Sequence, residues 1–266
     1  MSVLTLTDTA EQVTIAIRVK DRDKMIDFYK DIIGFTLKRE ENTLAIMGVK
    51  EDETQYLWLE ESPRAKEHFG EVKKLNQFTL EISNLEELGD VYHRFKQANY
   101  PIVATNYEKK VRVLVDDPEG NRLEIVASND NQAVKNDEQL LALATGKFVT
   151  LSPKISLQEV QLNVNEPKKE EEFLQSVLDF HLGKEESGKD SDFNVIVNQT
   201  DSTVAGIEGS EVLGLEIIRF VVTEEVIAAI EKQFIEQQQD YYVDKKKTIL
   251  TVYDPAGLEW WFVRKK

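Results

Sequence analysis

The stretch VLVDDPEGNRLEIV at residues 113–126 decides the fold, because an Asp-Pro-x-Gly turn separates two apolar strands in it. The stretch LTVYDPAGLEWWFV at residues 250–263 has the same order of strand, turn and strand. Further back along the chain, IAIRVKDRDKMIDFYKDIIGF (15–35) aligns without a gap on VQLNVNEPKKEEEFLQSVLDF (160–180). The two halves therefore indicate an internal duplication, with a small deletion in the second copy.

Hydrophobic periodicity divides each half further. The stretch VTIAIRV (13–19) alternates apolar and polar side chains, as a half-buried strand does, and the helix after it ends at Gly34. The same order returns after Leu75, where Asn84 is a typical N-terminal cap for a second helix. Each module is predicted to have one strand, one helix and three further strands. We expect an α+β fold of four βαβββ modules, at residues 13–61, 75–127, 157–208 and 214–264.

The domain organisation is predicted by pairing neighbouring modules. Residues 1–128 are expected to form the first domain and residues 155–266 the second, and a chain of 266 residues has the length of two domains. Residues 129–154 are rich in Asn, Asp, Gln and Lys around a short LLALA helix. They are expected to be the linker.

Composition excludes several classes of protein. No apolar run approaches the roughly 18 residues of a membrane span, and 41% hydrophobic residues are typical of a globular chain. A formal net charge of -16 opposes binding to nucleic acid and favours a neutral or basic small molecule or a protein. The first ten residues lack a secretory signal, which predicts a cytoplasmic protein. Without cysteine, the chain has no thiolate metal site and no cysteine nucleophile.

The chain resembles the vicinal oxygen chelate superfamily of glyoxalase I, extradiol dioxygenases and bleomycin-resistance proteins. The residues that carry the resemblance are IRV (17–19), FY (28–29), GF (34–35) and DPEGNRLEIV (117–126). The resemblance implies that paired modules form two glyoxalase-like domains. In each, an eight-stranded cup has helices on its outside and a pocket lined by the inward side chains of its strands.

The resemblance also implies where a divalent metal would bind, because superfamily enzymes take ligands from the first and last strands of each module. The corresponding residues are Thr14, Trp58, Gln77 and Glu124. Only Gln77 and Glu124 are good metal ligands, which leaves an incomplete site. The alternative is a metal-free pocket in which Glu124 pairs with an arginine, at position 18, 112 or 122.

The alternation of the strands predicts the lining of the first pocket. The ligand-contacting candidates are Arg18, Trp58, Glu60, Glu81, Arg112 and Arg122, with Glu124 as the catalytic base or metal ligand. The corresponding residues of the second domain are Glu159, a position near residues 205–208, Ile217 and Trp261, which predict no metal site. Trp260 and Trp261 are expected to be core residues or, alternatively, a ligand platform.

The three histidines are predicted to lie away from the inward strand positions. His93 is on a predicted helix, His181 follows another helix, and His68 lies in a connector that could cover the cup. An extradiol dioxygenase needs two histidines and a carboxylate on iron, so oxygen activation is not predicted. His68 is interpreted as a surface residue or as a base at the pocket mouth.

Length, duplication and overall character also make the chain similar to the two-domain CppA-type proteins of Gram-positive cocci, which are labelled as proteases that degrade complement C3. That resemblance implies a host-protein partner. No HExxH, GxSxG or cysteine nucleophile is present, and Asp117 and Asp254 are interpreted as turn formers rather than an aspartic dyad. Three functions stay open: a lyase or isomerase with or without a divalent metal, a metal-free binding protein for a small aromatic or cationic compound, and a CppA-like factor.

Overall fold

The structure is a computed structural model that describes residues 12–65, 72–178 and 193–265. Its strands are Gln12–Val19 (β1), Thr36–Glu41 (β2), Leu44–Gly48 (β3), Gln55–Glu61 (β4), Leu75–Glu81 (β5), Ala104–Tyr107 (β6), Lys110–Asp116 (β7), Arg122–Ser128 (β8), Ser156–Val164 (β9), Asn194–Gln199 (β10), Gly214–Val222 (β11), Tyr242–Val243 (β12), Ile249–Tyr253 (β13) and Glu259–Arg264 (β14). Its α-helices are Arg22–Asp27 (α1), Leu85–Gln97 (α2), Asp137–Ala142 (α3), Pro167–Glu172 (α4) and Glu224–Glu236 (α5). Two of them, α1 and α4, continue as π-helical turns over Phe28–Ile33 and Phe173–Val177. The fold is α+β with two sheets, as predicted.

The chain divides into two compact units. Unit 1 contains Met1–Arg18, Arg64–Asn76 and Glu159–Lys266, and unit 2 contains Val19–Pro63 and Gln77–Gln158. The first strand of the chain therefore belongs with the second half of the sequence. Independent folding of the predicted domains, residues 1–128 and 155–266, stays a prediction.

Unit 1 is built around the strands of the fourth module. Its strand order is β12-β13-β14-β11-β1, with β1 antiparallel to β11 and β11 parallel to β14. Strand β9 pairs with β10 in parallel. The core contains Trp260, Phe220, Phe234 and Phe262, all less than 2% exposed. Trp260 is thus a core residue, as predicted.

Unit 2 contains the hairpin strands β2-β3-β4 and the sheet β5-β8-β7-β6. In this sheet β5 and β8 are parallel, and β7 is antiparallel to β8 and β6. The helices bury the apolar faces that their spacing predicts: Tyr29 from the first and Tyr92 and Phe95 from the second are fully buried. Asn84 caps α2 by accepting the N–H of Glu87 at 2.9 Å, as expected.

Both Asp-Pro-x-Gly stretches form the same tight turn. Asp117 accepts the backbone N–H of Asn121 at 2.8 Å, and Asp254 accepts that of Leu258 at 2.8 Å. In each turn the glycine N–H returns to the carbonyl oxygen of the aspartate. The prediction that these two aspartates form turns is confirmed.

Residues 205–208, which hold one of the positions of the second domain compared with metal ligands, do not form a strand. Near residues 205–208 the backbone forms short 3₁₀ turns, Thr203–Gly206 and Gly209–Glu211. The reason is that Gly206 and Gly209 interrupt the apolar pattern, and the backbone hydrogen bonds there are local, such as Ala205 N–H to Ser202 at 3.3 Å.

The segment at residues 129–154 is anchored on helix α2 of the same unit. Asp90 accepts the backbone N–H of Phe148 at 2.9 Å, and Glu87 accepts that of Ser152 at 2.7 Å. Burial raises the pKa of Asp90, but hydrogen bonds from the backbone of Phe148, Gly146 and Thr145 outweigh it and lower the pKa below its usual value. The segment predicted as a linker is thus held by buried carboxylates of unit 2.

Arg94 anchors the same region through main-chain carbonyl oxygens. Its guanidinium donates to Ile32 at 2.8 Å, to Ile33 at 2.7 Å and to Phe148 at 2.6 Å. Gly34 lies directly against it, with φ of +102°, and a Cβ there would be 2.7 Å from Nη2 of Arg94. Only glycine fits this position without displacing the guanidinium.

We expect Gly34→Ala to lower the free energy of unfolding by about 2 kcal/mol, because it combines a left-handed backbone with this clash. Gly146→Ala is the matched control: its φ is +72°, and a Cβ there would meet no described atom within 4 Å. The control should cost only about 1 kcal/mol. Urea denaturation of both variants measures the difference, and equal losses would contradict the role of Arg94.

Candidate functional site

One face of the sheet β5-β8-β7-β6 in unit 2 is polar. Its opposite face is core, since Phe78, Leu80, Leu123, Ile125 and Val113 are at most 2% exposed. The register places Thr79 beside Glu124, and Glu124 beside Leu114 of β7. Strand alternation then puts on the polar face Gln77, Thr79 and Glu81 of β5, Arg122 and Glu124 of β8, and Lys110, Arg112 and Asp116 of β7.

Glu124 is at the centre of this polar face. Its Oε2 accepts hydrogen bonds from Nη1 of Arg112 at 2.6 Å and from Oγ1 of Thr79 at 3.1 Å. Gln77 extends the group, with its Nε2 3.5 Å from the Thr79 hydroxyl. The Glu124 side chain is 13% exposed and that of Arg112 is 40% exposed. The carboxylate therefore lies deeper than the guanidinium that holds it, and its Oε1 has no hydrogen-bond partner in the described parts of the chain.

Two further ion pairs flank the central one. Lys110 binds Glu81 at 2.9 Å, and Arg122 binds Asp116 at 2.9 Å. The hydrogen bond that Arg122 donates to Asp116 raises the pKa of Arg122. Three carboxylates thus face three cations. The polar face therefore has no net charge, although the whole chain has a formal net charge of -16. The local charge does not favour a cationic ligand here.

A divalent metal does not fit this arrangement. Gln77 and Glu124 share the face as predicted, but the Arg112 guanidinium occupies the cation position at the Glu124 carboxylate. Among residues 12–65, 72–178 and 193–265, no three His, Asp or Glu side chains come together as metal ligands. A catalytic site of this kind needs at least three protein ligands. Of the arginines considered as metal-free partners of Glu124, the structure selects Arg112.

Trp58 and Glu60 also belong to unit 2 but lie on β4. The indole N–H of Trp58 donates to Gln55 at 2.8 Å, and Glu60 accepts from the Thr43 hydroxyl at 2.6 Å. These bonds stay within the strands β2-β3-β4 and the turn beside them. The two residues are therefore on a different set of paired strands from the Glu124 group.

Arg18 belongs to unit 1, where it forms an ion pair with Glu216. Next to it in the same unit, Thr14 accepts a hydrogen bond from Arg219 at 3.4 Å. Burial lowers the pKa of Arg219. The structure thus brings five predicted site residues together in unit 2, namely Gln77, Glu81, Arg112, Arg122 and Glu124, and places Trp58, Glu60 and Arg18 elsewhere.

Sequence reasoning missed Lys110 and Asp116 as members of the polar face. Both could have been predicted from the alternation of β7. Lys110, Arg112 and Asp116 all have even residue numbers, so their side chains point to the same face of the strand. Of the histidines, His93 lies on α2 and is half-buried, away from the polar face. His68 and His181 lie outside the described residues.

Two family models match different parts of the chain. Residues 11–125 match the Glyoxalase/Bleomycin resistance protein/Dioxygenase superfamily, and residues 152–262 match the CppA C-terminal family. No curated protein sequence matches the chain. In the part of the chain that the structure describes, no helix is long and apolar enough to cross a membrane.

Solved structures share the fold at low sequence identity. The CppA protein from Streptococcus pneumoniae TIGR4 is 18% identical, with a TM-score of 0.67 over 97% of this chain and 99% of that one. Glyoxalase I from Zea mays is 16% identical, with a TM-score of 0.57 over 95% of this chain and 92% of that one. At these identities the similarity shows the fold alone.

Proposed function

We propose that this chain is a metal-free small-molecule binding protein, since residues 11–125 match the glyoxalase, bleomycin resistance protein and dioxygenase superfamily and residues 152–262 match the CppA C-terminal family. The ligand contacts the polar face of unit 2. One observation carries the proposal: Glu124 is already held by Arg112 and Thr79, so its carboxylate is neutralised by the protein and not by an ion.

The exposed groups define the ligand. Arg112 is 40% exposed and has further N–H donors, which suit a carboxylate or carbonyl oxygen. Oε1 of Glu124 and the amide oxygen of Gln77 are acceptors, which suit a hydroxyl or amino group. A small molecule that carries a carboxylate next to a hydroxyl or ammonium group matches both requirements. This ligand replaces the small aromatic or cationic compound that the sequence suggested.

A metal titration tests the metal-free character. Protein purified without chelator is analysed for metal and titrated with Mn, Fe, Ni, Zn and Mg while its melting temperature is followed. We expect no stoichiometric metal and no ion-specific increase for the natural sequence. Stoichiometric metal that is lost in Glu124→Gln would overturn the proposal and favour the lyase or isomerase function, with Glu124 as ligand.

A ligand titration tests the polar face itself. Lactate and glycine are the probes, with acetate and choline for comparison, and binding is followed by saturation-transfer NMR. Glu124→Gln is expected to weaken binding of the two probes by about tenfold, the effect of one charge-assisted hydrogen bond. Glu81→Gln is the matched control, since it removes the same charge from the same face but from the Lys110 pair. Equal losses in both variants would mean that only overall charge matters.

A CppA-type role at a host protein is the second candidate function, and the match of residues 152–262 favours it. The chain has no cysteine, and the described residues contain no cluster of metal ligands, so we propose recognition of the partner rather than its cleavage. Substitutions on the polar face should leave such an interaction intact, which separates the two functions. A cytoplasmic location stays a prediction.

A further inference from the structure

Unit 1 has a groove of about 700 Å³ at one end of its sheet, where β11 and β14 end and β13 begins. Main-chain hydrogen bonds hold these strand ends together. The N–H of Arg264 donates to the carbonyl oxygen of Thr248 at 2.8 Å, and the N–H of Lys265 donates to that of Val222 at 2.9 Å. A groove of this volume has the size of a small-molecule site, and it belongs to a different unit from the polar face.

The floor of the groove is apolar. Ile249 of β13 and Val263 of β14 are register partners, and both are half-buried. Their side chains lie on the sheet face opposite the aromatic core, because the neighbouring Leu250 and Phe262 are fully buried on the core side. Apolar side chains beside an open groove are stabilised when a hydrocarbon group covers them. The floor therefore favours a ligand with an apolar body.

The wall of the groove carries two positive charges and one negative charge, those of Arg264, Lys265 and Glu224. The turn before β13 adds two exposed lysines, at positions 245 and 246, while the carboxylate of Asp244 accepts main-chain N–H groups of that turn. This excess of positive charge is local, since the whole chain has a formal net charge of -16. Charge complementarity therefore favours an anionic ligand at this groove.

Arg264 is the charged group that a ligand in the groove reaches. Its side chain is 31% exposed, and its Nη1 is 3.3 Å from Oε2 of Glu224, whose side chain is 71% exposed. Within the described residues the guanidinium has no other side-chain partner. An exposed ion pair of this length adds little to stability, so a carboxylate from solution can replace Glu224 at Arg264. Two acidic residues, Glu224 and Glu225, occupy the first turn of α5, so the helix terminus itself does not attract an anion.

We propose that this groove binds a small organic anion with an apolar body, namely a monocarboxylate. Its carboxylate pairs with Arg264 in place of Glu224, and its hydrocarbon part covers Ile249 and Val263. Lys265 adds a second positive charge at the rim. This ligand differs from the one proposed for the polar face, which needs a hydroxyl or ammonium group beside its carboxylate. The two sites lie in different units and are tested by different variants.

Calorimetry on the full chain tests the proposal with sodium hexanoate as the probe. Acetate has the same head group without the apolar body, and hexylammonium has the same body with the opposite charge, so these are the control ligands. We expect Arg264→Gln to weaken hexanoate binding by about tenfold, because it removes a charge-assisted hydrogen bond. Glu224→Gln should strengthen binding by about threefold, since the competing carboxylate is gone. Lys246→Gln is the matched control, because it removes one positive charge from an exposed position outside the groove wall. It should change the affinity by less than about twofold.

Several results would overturn the proposal. Binding of hexylammonium or acetate as tight as that of hexanoate would show that the groove does not recognise an apolar anion. No millimolar affinity for hexanoate, an equal loss in Arg264→Gln and Lys246→Gln, or no gain in Glu224→Gln would each reject Arg264 as the partner of the carboxylate. Circular dichroism checks the fold of each variant, and if Arg264→Gln does not fold, Glu224→Gln and the three ligands still decide. Binding of lactate or glycine depends on Glu124 and should stay unchanged in Arg264→Gln, so the failure of one proposal is distinguishable from that of the other.

Discussion

Replacing Trp260 by alanine is expected to lower the free energy of unfolding by about 3–5 kcal/mol, the largest effect of any substitution considered. Trp260 is fully buried in unit 1 and stacks on Phe220, with ring centroids 6.0 Å apart and planes 8° apart. Phe220 in turn stacks on Phe262 at 5.8 Å. Alanine would leave a cavity in the middle of this aromatic stack, which rigid neighbouring strands cannot close.

The Trp260 variants separate packing from hydrogen bonding. The indole N–H donates to Oδ2 of Asp254 at 2.9 Å, so alanine also removes a donor from a buried carboxylate. Trp260→Phe keeps most of the ring but loses that donor, and should cost about 1–3 kcal/mol. Urea denaturation followed by circular dichroism measures both. If phenylalanine costs as much as alanine, the hydrogen bond to Asp254 and not the stack stabilises this core.

Asp117→Ala in unit 2 is expected to cost about 3 kcal/mol. The carboxylate accepts from the Tyr29 hydroxyl at 2.9 Å, from the N–H groups of Glu119 at 3.0 Å and Asn121 at 2.8 Å, and from the Asn121 side chain. Tyr29 is fully buried, and burial followed by the Asp117 charge raises its pKa well above the usual value. Its hydroxyl would lose its carboxylate acceptor in the variant, and the turn would lose two main-chain bonds.

A double-mutant cycle measures how much of the loss in unfolding free energy depends on the contact between Asp117 and Tyr29. Tyr29→Phe alone should cost about 1 kcal/mol, because it removes the hydroxyl and leaves the turn intact. In the Asp117→Ala background the same change should cost nothing or stabilise, since the unsatisfied hydroxyl is gone. Equal costs of Tyr29→Phe in both backgrounds would show that the two side chains act independently. Thermal and urea denaturation of the four proteins provide the measurement.

Local features of the fold could be predicted from the sequence because they depend on nearby residues. The turn at Asp117, the cap at Asn84 and the stop of the first helix at Gly34 each follow from one residue type and its neighbours. The alternation of side chains along β5, β7 and β8 also predicted that Glu124 and Arg112 lie on the same face of the sheet. These are short-range properties of strands and helix ends.

Long-range pairing could not be predicted, because alternation shows which side chains share a face and not which strand lies beside it. Thr14 and Arg18 were assigned to the pocket of the first half, but β1 pairs with β11. For the same reason, the sequence did not show which of three arginines pairs with Glu124. The burial of Glu170, which is 1% exposed, was also not predicted. The alignment of the two copies contained a signal for it, because the counterpart Met25 is fully buried. A buried counterpart indicates that the glutamate is buried as well.

The pairing of β1 with β11 has a consequence for the order in which the chain folds. Thr14 and Arg219 lie side by side, yet they are 205 positions apart in sequence. During synthesis the apolar strand β1 leaves the ribosome long before β11 exists, and such non-local contacts slow folding. Unit 2 ends at Gln158 and can form earlier, whereas unit 1 is complete only after the last module has been made. The pairing of β1 with β11 is thus among the last parts of unit 1 to form.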